Sequence, residues 1–400
     1  MVKSAPTQLP SDDRKAPALP VLLFQRMVPE YRVELFRRLH RELGIRICHW
    51  SGSLSSASNP LGEGNLRAAR FRGNTRWHYL FSLPALVCTL LSERPAVVIC
   101  EASPGFPVFW YLAMLQHILR FRLVGWGHGI DNEDWASGHR GWRFRLQCLL
   151  LGRTRGLLLY SHGRATELQR QLGAIPQVVA FNSLDTTGMV EHCNLLQSQG
   201  AGRRPLTASE ELRLVFVGRL IPGKQLTMAL EALAQFSELP WRFRILGDGP
   251  AAEALKQQAN GDTRIEFLGE CHEQEAVGRE LASAHLLLHP GNLGLVVVHA
   301  MAYGCPVLGC RAGSRGIAHG PEAELLVDGV NGILCAAESK ALLAELRALA
   351  GDPARLQAMQ DAALETARER TGLNQMVSSF CEMLRIQGAI TATHSAGRSS

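Results

Sequence analysis

Residues 214–224 read LVFVGRLIPGK, and this segment gives the clearest indication of the fold. Four apolar residues followed by Gly218 predict a buried strand that runs into a Gly/Pro loop, and the helical pattern of residues 225–236 comes directly after it. The loop holds two cations, Arg219 and Lys224. Glycine N–H groups, a helix N-terminus and fixed cations suit a diphosphate, whereas a βα turn with two solvated surface cations is the simpler alternative.

Similar strand-to-loop transitions recur downstream. They are FRILGDGP at 243–250, IEFLG at 265–269 and LLLHP at 286–290, after which Gly294 and Leu295 precede a helix. The N-terminal half repeats the alternation with apolar runs at 21–24, 45–48, 96–100 and 123–126. Strands that alternate with helices predict open parallel sheets, whose ligands lie at the carboxyl ends of the strands. The sequence therefore predicts two doubly wound α/β domains.

Five stretches occur in an order that resembles a known family. They are VGRL-IPGK at 217–224, LGDGP at 246–250, FLG at 267–269, GLVVVHAMAYGCPVLG at 294–309 and LVDGVNGIL at 326–334. Together they resemble the C-terminal half of the retaining glycosyltransferases of family 4, which have the two-domain GT-B fold. The resemblance implies that Gly218, Arg219 and Lys224 hold the diphosphate of a nucleotide sugar, capped by the N–H groups of Gly294 and Leu295. It also implies retention of anomeric configuration without a metal, because two cations neutralise the leaving diphosphate.

The chain is expected to divide in the manner of that fold. A disordered tail (1–19) precedes an N-terminal acceptor-side domain (20–196), which the polar linker 197–209 joins to a nucleotide-sugar-binding domain (210–371). An amphipathic helix over 372–386 would cross back to the first domain, and residues 387–400 are expected to be disordered.

Both glutamates of the family's usual Glu-x7-Glu motif are missing. The aligned positions hold Gly291 and His299. A neutral imidazole has one donor and one acceptor, so His299 is a candidate for binding the ribose hydroxyls. The alternative is a histidine that packs in the core of a helix.

The N-terminal half supplies candidates for the other side of the cleft. GWGHG at 125–129 resembles the family's histidine loop, which makes His128 a candidate for contact with the donor sugar, although a lone turn histidine is the alternative. PEYR at 29–32 resembles a loop of cell-surface polysaccharide transferases and makes Glu30 and Arg32 acceptor-side candidates. Glu101 follows a predicted strand and is expected at the same edge.

Positive charge is concentrated in the first half of the chain. Residues 1–200 hold 23 Lys and Arg against 14 Asp and Glu, a net charge of +9, whereas the whole chain carries +6. Arginine alternates with aromatic residues at 67–72 and 139–146. Such a surface suits an anionic membrane or a phosphorylated acceptor, and a merely solvated basic face is the alternative. Nucleic acid is not expected, because the arginines are dispersed and no nucleic-acid-binding motif is present.

Other features narrow the class of protein. Ten cysteines without a Cys-x-x-Cys pair favour a cytoplasmic location, and the first 19 residues lack the apolar run of a signal peptide. The apolar run at 106–115 is shorter than the roughly 20 residues that a membrane span needs. His285 and His289 cannot share a metal ion, because four residues of a strand rise about 13 Å. The acidic residues 131–134 indicate a solvated turn, so neither a metal site nor a cofactor is expected.

The sequence therefore predicts a cytoplasmic glycosyltransferase, peripheral on the inner face of the cell membrane. It would move a sugar from a nucleotide diphosphate donor to a lipid-linked, lipopolysaccharide or exopolysaccharide acceptor. One alternative is a non-catalytic glycan- or partner-binding protein derived from a transferase. A nucleotide-sugar epimerase is the lesser alternative, since it needs acid/base carboxylates that positions 291 and 299 do not supply.

Overall fold

A computed structural model describes residues 19–26, 28–50, 69–71, 76–207, 210–271 and 273–390, with the backbone alone described for 69–71 and 76. They form two parallel sheets, each packed between helices on both faces. The predicted α/β architecture with two doubly wound units is confirmed.

The first sheet has seven strands in the order β3-β2-β1-β4-β5-β6-β7. Its strands are β1 Val21–Gln25, β2 Arg46–Trp50, β3 Ala69–Phe71, β4 Val97–Glu101, β5 Arg122–Gly127, β6 Gly156–Leu159 and β7 Gln177–Val179. Strand β1 pairs in parallel with both β2 and β4. The chain order therefore reverses beside β1, which places a crevice at the carboxyl ends of β1 and β4.

The second sheet has six strands in the order β10-β9-β8-β11-β12-β13. Its strands are β8 Leu212–Val217, β9 Trp241–Leu246, β10 Ile265–Gly269, β11 Leu286–Leu288, β12 Val307–Cys310 and β13 Gly332–Cys335. Strand β8 pairs with β9 and β11, so the corresponding crevice lies at the carboxyl ends of β8 and β11.

The helices lie between the strands. In the first half they are α1 Val33–Leu43, α2 Arg76–Leu80, α3 Leu83–Glu93, α4 Pro107–Leu119, α5 Asn132–Ser137, α6 Trp142–Leu151, α7 His162–Leu172 and α8 Thr186–Ser198. In the second half they are α9 Leu226–Leu233, α10 Ala252–Ala259, α11 Gln274–Ser283, α12 Val296–Ala302, α13 Ser339–Gly351, α14 Pro353–Arg370 and α15 Leu373–Ile386. Short 3-10 turns occur at Glu30–Arg32, Pro222–Lys224 and Pro321–Leu325.

The strands read as continuous apolar runs because both faces of each sheet are buried. In β1, Val21 and Leu23 belong to one core cluster, whereas Leu22 and Phe24 belong to the cluster on the opposite face. The side chains of a strand point alternately to its two faces, so each face of the sheet needs its own layer of helices.

The division between the two units differs from the expected one at two places. Helix α8 packs against α11, α12 and α14 of the second unit, so the N-terminal unit ends near residue 185 rather than 196. Helix α15 packs on α1, β6 and β7 of the first sheet. Residues 387–390 continue this packing, because Ala389 and Ile390 are buried in the first unit's core, and they do not belong to a disordered tail.

Some expectations concern residues outside the described ranges. They include the tail at 1–18, the end of the tail at 391–400 and the side chains of the basic run at 67–72. Among the described residues, no helix combines the length and the apolar character that a membrane crossing requires.

Candidate active site

A cavity of about 480 Å³ opens at the carboxyl ends of β8, β9 and β10. It is lined by Val217, Gly218, Arg219, Leu246, Gly247, Asp248, Gly249, Glu270 and Cys271. The predicted loop residues Gly218 and Arg219 thus lie at the edge of the sheet where the strand pattern places a ligand.

The two glycines of LGDGP are required because the backbones of the loops after β8 and β9 are in contact. Gly247 has φ +145°, and a Cβ at this position would collide with the carbonyl group of Gly218. Gly249 has φ +156° and would collide with Leu220 in the same way. Leu220 N donates to the carbonyl oxygen of Asp248 at 2.9 Å, which fixes the two loops together. Glycine at positions 247 and 249 therefore allows the two loops to approach this closely beside the cavity.

The two predicted cations take different positions. Arg219 is exposed and lines the cavity. Lys224 is half-buried, and its Nζ donates to the carbonyl oxygen of Asn292 at 2.6 Å. Burial lowers the pKa of Lys224 from its usual value. The Asn292 N–H donates to Gly223 O at 2.9 Å, so the cation loop and the loop before α12 are tied to each other.

The loop before α12 explains one of the missing glutamates. Gly294 and Leu295 are half-exposed directly before the first residue of α12. A Cβ at Gly291 would collide with the backbone of Gly223 and Lys224. No side chain fits at position 291 in this arrangement.

His299 lies in the last turn of the seven-residue helix α12 and is half-buried. Burial lowers its pKa to about 4, so the imidazole is neutral near pH 7. Its ring centroid lies 5.7 Å from that of Tyr303, and its Nε2 is buried without a hydrogen-bond partner. A buried nitrogen of this kind is costly unless something hydrogen-bonds to it. Glu270, which the sequence interpretation did not single out, provides a carboxylate to the cavity at β8–β10, whose lining residues do not include His299.

His128 follows β5 in the first unit and is exposed. Its Nδ1 lies 3.2 Å from Nη1 of Arg164, which can only donate, so Nδ1 accepts and the proton sits on Nε2. The surrounding protein, with Arg164 and Arg32, lowers the pKa of His128 to about 4. The side chain is therefore a neutral imidazole with a defined tautomer.

Arg32 is buried rather than open to an acceptor. Its Nη2 donates to Tyr160 Oη at 2.6 Å and to Asn182 Oδ1 at 2.9 Å, and its guanidinium lies 4.5 Å from the ring centroid of Trp126. Glu30 is exposed at the start of the same turn. Arg32 thus holds this turn in place. The side chains of Glu30 and Arg32 are not brought together.

Glu101 ends β4 and is paired with Arg26. It also accepts a hydrogen bond from Gln25 Nε2 at 3.0 Å. Arg26 is a residue that sequence reasoning missed, although its place at the end of β1 was the available signal.

The acidic turn Pro321–Leu325 of the second unit contacts the first unit, and His319 just before it does so as well. Glu322 is buried, burial raises its pKa, and its Oε1 accepts from Asn182 Nδ2 at 2.5 Å. The carboxylate of Glu324 accepts from the N–H groups of His162 at 2.8 Å and Gly163 at 3.0 Å, which caps helix α7 from the other unit. Arg164 Nη2 donates to His319 O at 3.2 Å. None of these contacts between the units was predicted.

The remaining candidates for metal ligands have structural partners. His285 accepts from Arg213 N at 3.0 Å through Nδ1, and its Nε2 lies 2.8 Å from Arg204 O. His289 is fully buried and stacks on Phe216 with ring centroids 4.8 Å apart. Within the described part of the chain, no group of three His, Cys, Asp or Glu side chains is arranged to hold a metal ion.

Two Rossmann-like units facing each other across a cleft define the GT-B fold, and comparison with solved structures shows the same fold. The chain superimposes on Anabaena Alr3699/HepE in complex with UDP with a TM-score of 0.68 at 18% identity, covering 92% of this chain and 100% of that one. It superimposes on the lipopolysaccharide outer core galactosyltransferase WaaB with a TM-score of 0.67 at 13% identity, covering 91% and 100%.

Sequence comparison finds a family-model match over part of the chain. Residues 211–352 match the family model of glycosyl transferases group 1. An exopolysaccharide phosphotransferase of Streptomyces coelicolor is 32% identical over 176 residues. That match covers 41% of this chain but only 18% of the relative's length.

Proposed function

We propose that the chain is a glycosyltransferase that moves a sugar from a nucleotide diphosphate donor to a lipid-linked, lipopolysaccharide or exopolysaccharide acceptor, with retention and without a metal. The observation that carries the proposal is the glycine-floored cavity at β8–β10, with Arg219 on its wall and the Lys224 loop beside it. Glycine at 218, 247 and 249 keeps side chains out of this part of the cavity, and the two cations match the charge of a diphosphate.

The lining of the cavity supports a donor that carries a sugar. Asp248 and Glu270 line it as carboxylates, which accept hydrogen bonds from sugar hydroxyls. The HepE neighbour was crystallised with UDP, so a uridine nucleotide is the first donor class to test.

The proposed chemistry needs charge stabilisation more than proton transfer to the diphosphate. As the bond to the anomeric carbon breaks, negative charge develops on the leaving diphosphate, and Arg219 and Lys224 stabilise it. Lys224 has three N–H donors, of which one is bound to Asn292 O, so the others can bind phosphate oxygens. His128 is neutral and can donate through Nε2 to a hydroxyl of the sugar. The acceptor would enter from the side of Glu30 and Glu101.

Hydrolysis of the donor tests this function most directly. The full chain is incubated with UDP-glucose and related donors without acceptor, and release of UDP is followed. Slow release that is lost in Lys224→Met and Arg219→Ala is the expected result. Wild-type chain that neither binds UDP nor releases it would remove the proposal.

A specific observation favours one second candidate. Position 291 has no room for a side chain and position 299 holds a neutral histidine, so neither motif position carries a carboxylate. A protein derived from a transferase that binds nucleotide sugar or glycan without turnover would fit this. UDP binding by calorimetry, combined with no hydrolysis and no transfer, would favour that candidate.

We also propose that the chain acts in the cytoplasm at the inner face of the cell membrane. The excess of arginine in the first half supports this location, because each cation near an anionic bilayer contributes about 1 kcal/mol.

A further inference from the structure

Four helices of the first unit turn apolar side chains away from the sheet. Helices α2, α3, α4 and α6 cover the same face of the sheet, since their inward residues form one core cluster. We call their outward surface the outer helical face. Its exposed large apolar residues are Trp77, Leu80, Phe81, Leu91, Met114, Ile118, Trp142 and Leu149.

These helices are tied together into one surface. Tyr111 Oη of α4 donates to Leu80 O at the end of α2 at 3.0 Å. Gln116 Nε2 of α4 donates to Arg153 O, just after α6, at 2.8 Å. Met114 and Ile118 lie four residues apart and therefore on one side of α4. The apolar residues thus spread over adjoining helices rather than occurring singly.

The degree of exposure is unusual for side chains of this kind. Phe81 is 76% exposed, Ile118 74%, Trp142 70% and Trp77 67%. The rings of Trp77 and Phe81 stack with centroids 6.1 Å apart and an interplanar angle of 18°. Single exposed apolar residues are normal on a protein surface, but a contiguous group indicates an interaction site.

The charge of the outer helical face indicates which partner it binds. The four helices contain one carboxylate, Glu93, and it is paired with Arg46. The exposed cations on or next to these helices are Arg94, Arg120, Arg143, Arg145 and Arg153. Pairing with a second copy of the same face would place arginine against arginine without carboxylates between them. Anionic headgroups above an apolar layer match both the cations and the exposed side chains.

We propose that the outer helical face docks on a bilayer that contains anionic lipid, with Trp77, Phe81 and Ile118 inserted among the acyl chains and the arginines at the phosphates. This inference rests on the proposed function, because it names the surface through which the transferase reaches a lipid-linked acceptor. It differs from attraction by charge alone, since inserted apolar side chains keep part of the binding when salt screens the charges.

Co-sedimentation of the full chain with vesicles tests the docking face. The vesicles contain phosphatidylcholine with phosphatidylglycerol, or phosphatidylcholine alone, at low and at high salt. Wild type should bind the mixed vesicles and keep part of this binding at high salt. Phe81→Ser and Ile118→Ser should each lower the partition coefficient about tenfold or more, because each removes a large inserted apolar group. Leu195→Ser, which changes a 52% exposed leucine on α8 outside the face, should bind as wild type does.

A second measurement reports insertion itself. Brominated lipids should quench the tryptophan fluorescence of wild type, and Trp77→Phe should show less quenching. If Phe81→Ser and Ile118→Ser bind vesicles as wild type does, the proposal is wrong. It is equally wrong if wild type forms a dimer without lipid and these variants abolish it, because the face then covers a second copy.

Donor binding separates this proposal from the proposed function. Phe81 and Ile118 do not line the cavity, so both variants should bind UDP as wild type does. If Phe81→Ser and Ile118→Ser bind both vesicles and UDP as wild type does, the outer helical face alone is rejected. Vesicle binding as expected in a chain that does not bind UDP would reject the glycosyltransferase.

Discussion

Replacing Lys224 with methionine gives the sharpest test of the diphosphate site, because methionine keeps the apolar stem and removes the charge. Lys224 Nζ already donates to Asn292 O at 2.6 Å and is half-buried. A charge-assisted hydrogen bond to a phosphate oxygen contributes about 1.5–3 kcal/mol. Loss of one such bond should weaken UDP binding by roughly tenfold to hundredfold.

Isothermal titration calorimetry with UDP measures the effect. Lys256→Ala is the matched control, because it removes the same charge from an exposed lysine of the same unit that pairs with Glu253. Equal weakening by Lys256→Ala would show that only net charge matters. Thermal unfolding of the variants without UDP shows whether loss of the Lys224–Asn292 hydrogen bond destabilises the loop and so accounts for the weaker UDP binding.

The pH dependence of UDP binding, measured by the same calorimetric titration, gives a second test of the site. Burial lowers the pKa of Lys224, so its charge is lost at a lower pH than that of an exposed lysine. UDP affinity should therefore fall as the pH rises toward the ordinary lysine value, and Lys224→Met should lack this fall. Unchanged UDP affinity in both Lys224→Met and Arg219→Ala would refute the diphosphate site.

Four further results are expected. His128→Ala should lower kcat with little change in KM for donor, and because the pKa of His128 is about 4, wild-type kcat should show no titration of this group between about pH 5 and 8. His299→Ala should raise KM for donor whereas His299→Glu keeps substantial activity, since a carboxylate also accepts hydroxyl hydrogen bonds; unchanged donor kinetics in the alanine variant would make His299 a packing residue. Burial lowers the pKa of His289 to about 3, so the stability that its neutral form contributes above about pH 6.5 is lost on acidification. Between about pH 7 and 4.5, the free energy of unfolding measured by chemical denaturation should therefore fall by about 2–3 kcal/mol less in His289→Leu than in wild type. Gly247→Ala should abolish UDP binding because its Cβ meets the Gly218 carbonyl, whereas Gly261→Ala, with a positive φ but open space, should cost only about 1 kcal/mol of stability and bind UDP normally.

The sequence was sufficient for the two sheets and for the loops that follow β8 and β9. Continuous apolar runs that end in glycine predicted β8 and β9 together with the cavity between their loops, because local pattern alone fixes where a buried strand stops. The position of Arg219 at the cavity followed from the same pattern.

The contacts between the units could not be predicted in this way. Asn182 and Glu322 are 140 residues apart, and no periodicity relates them. Arg32 was predicted as an acceptor-side residue, but it packs against Trp126 of β5 and Tyr160, which directly follows β6, and both residues lie far along the chain. The sequence predicted that the first unit ends at residue 196, which is 11 residues after its observed end near residue 185. The prediction was wrong because the apolar side of α8 does not reveal which sheet the helix covers.

The acidic turn at Pro321–Leu325 has a kinetic consequence. Glu322 and Glu324 reach the first unit through Asn182 and the start of α7, so separating the two sheets breaks these hydrogen bonds together. When the units separate, each of these hydrogen bonds is replaced by a hydrogen bond to water at a small net free energy. The two units can therefore separate without unfolding of either core. Under the proposed function, this separation of the units is the motion by which the spent nucleotide would leave the cleft.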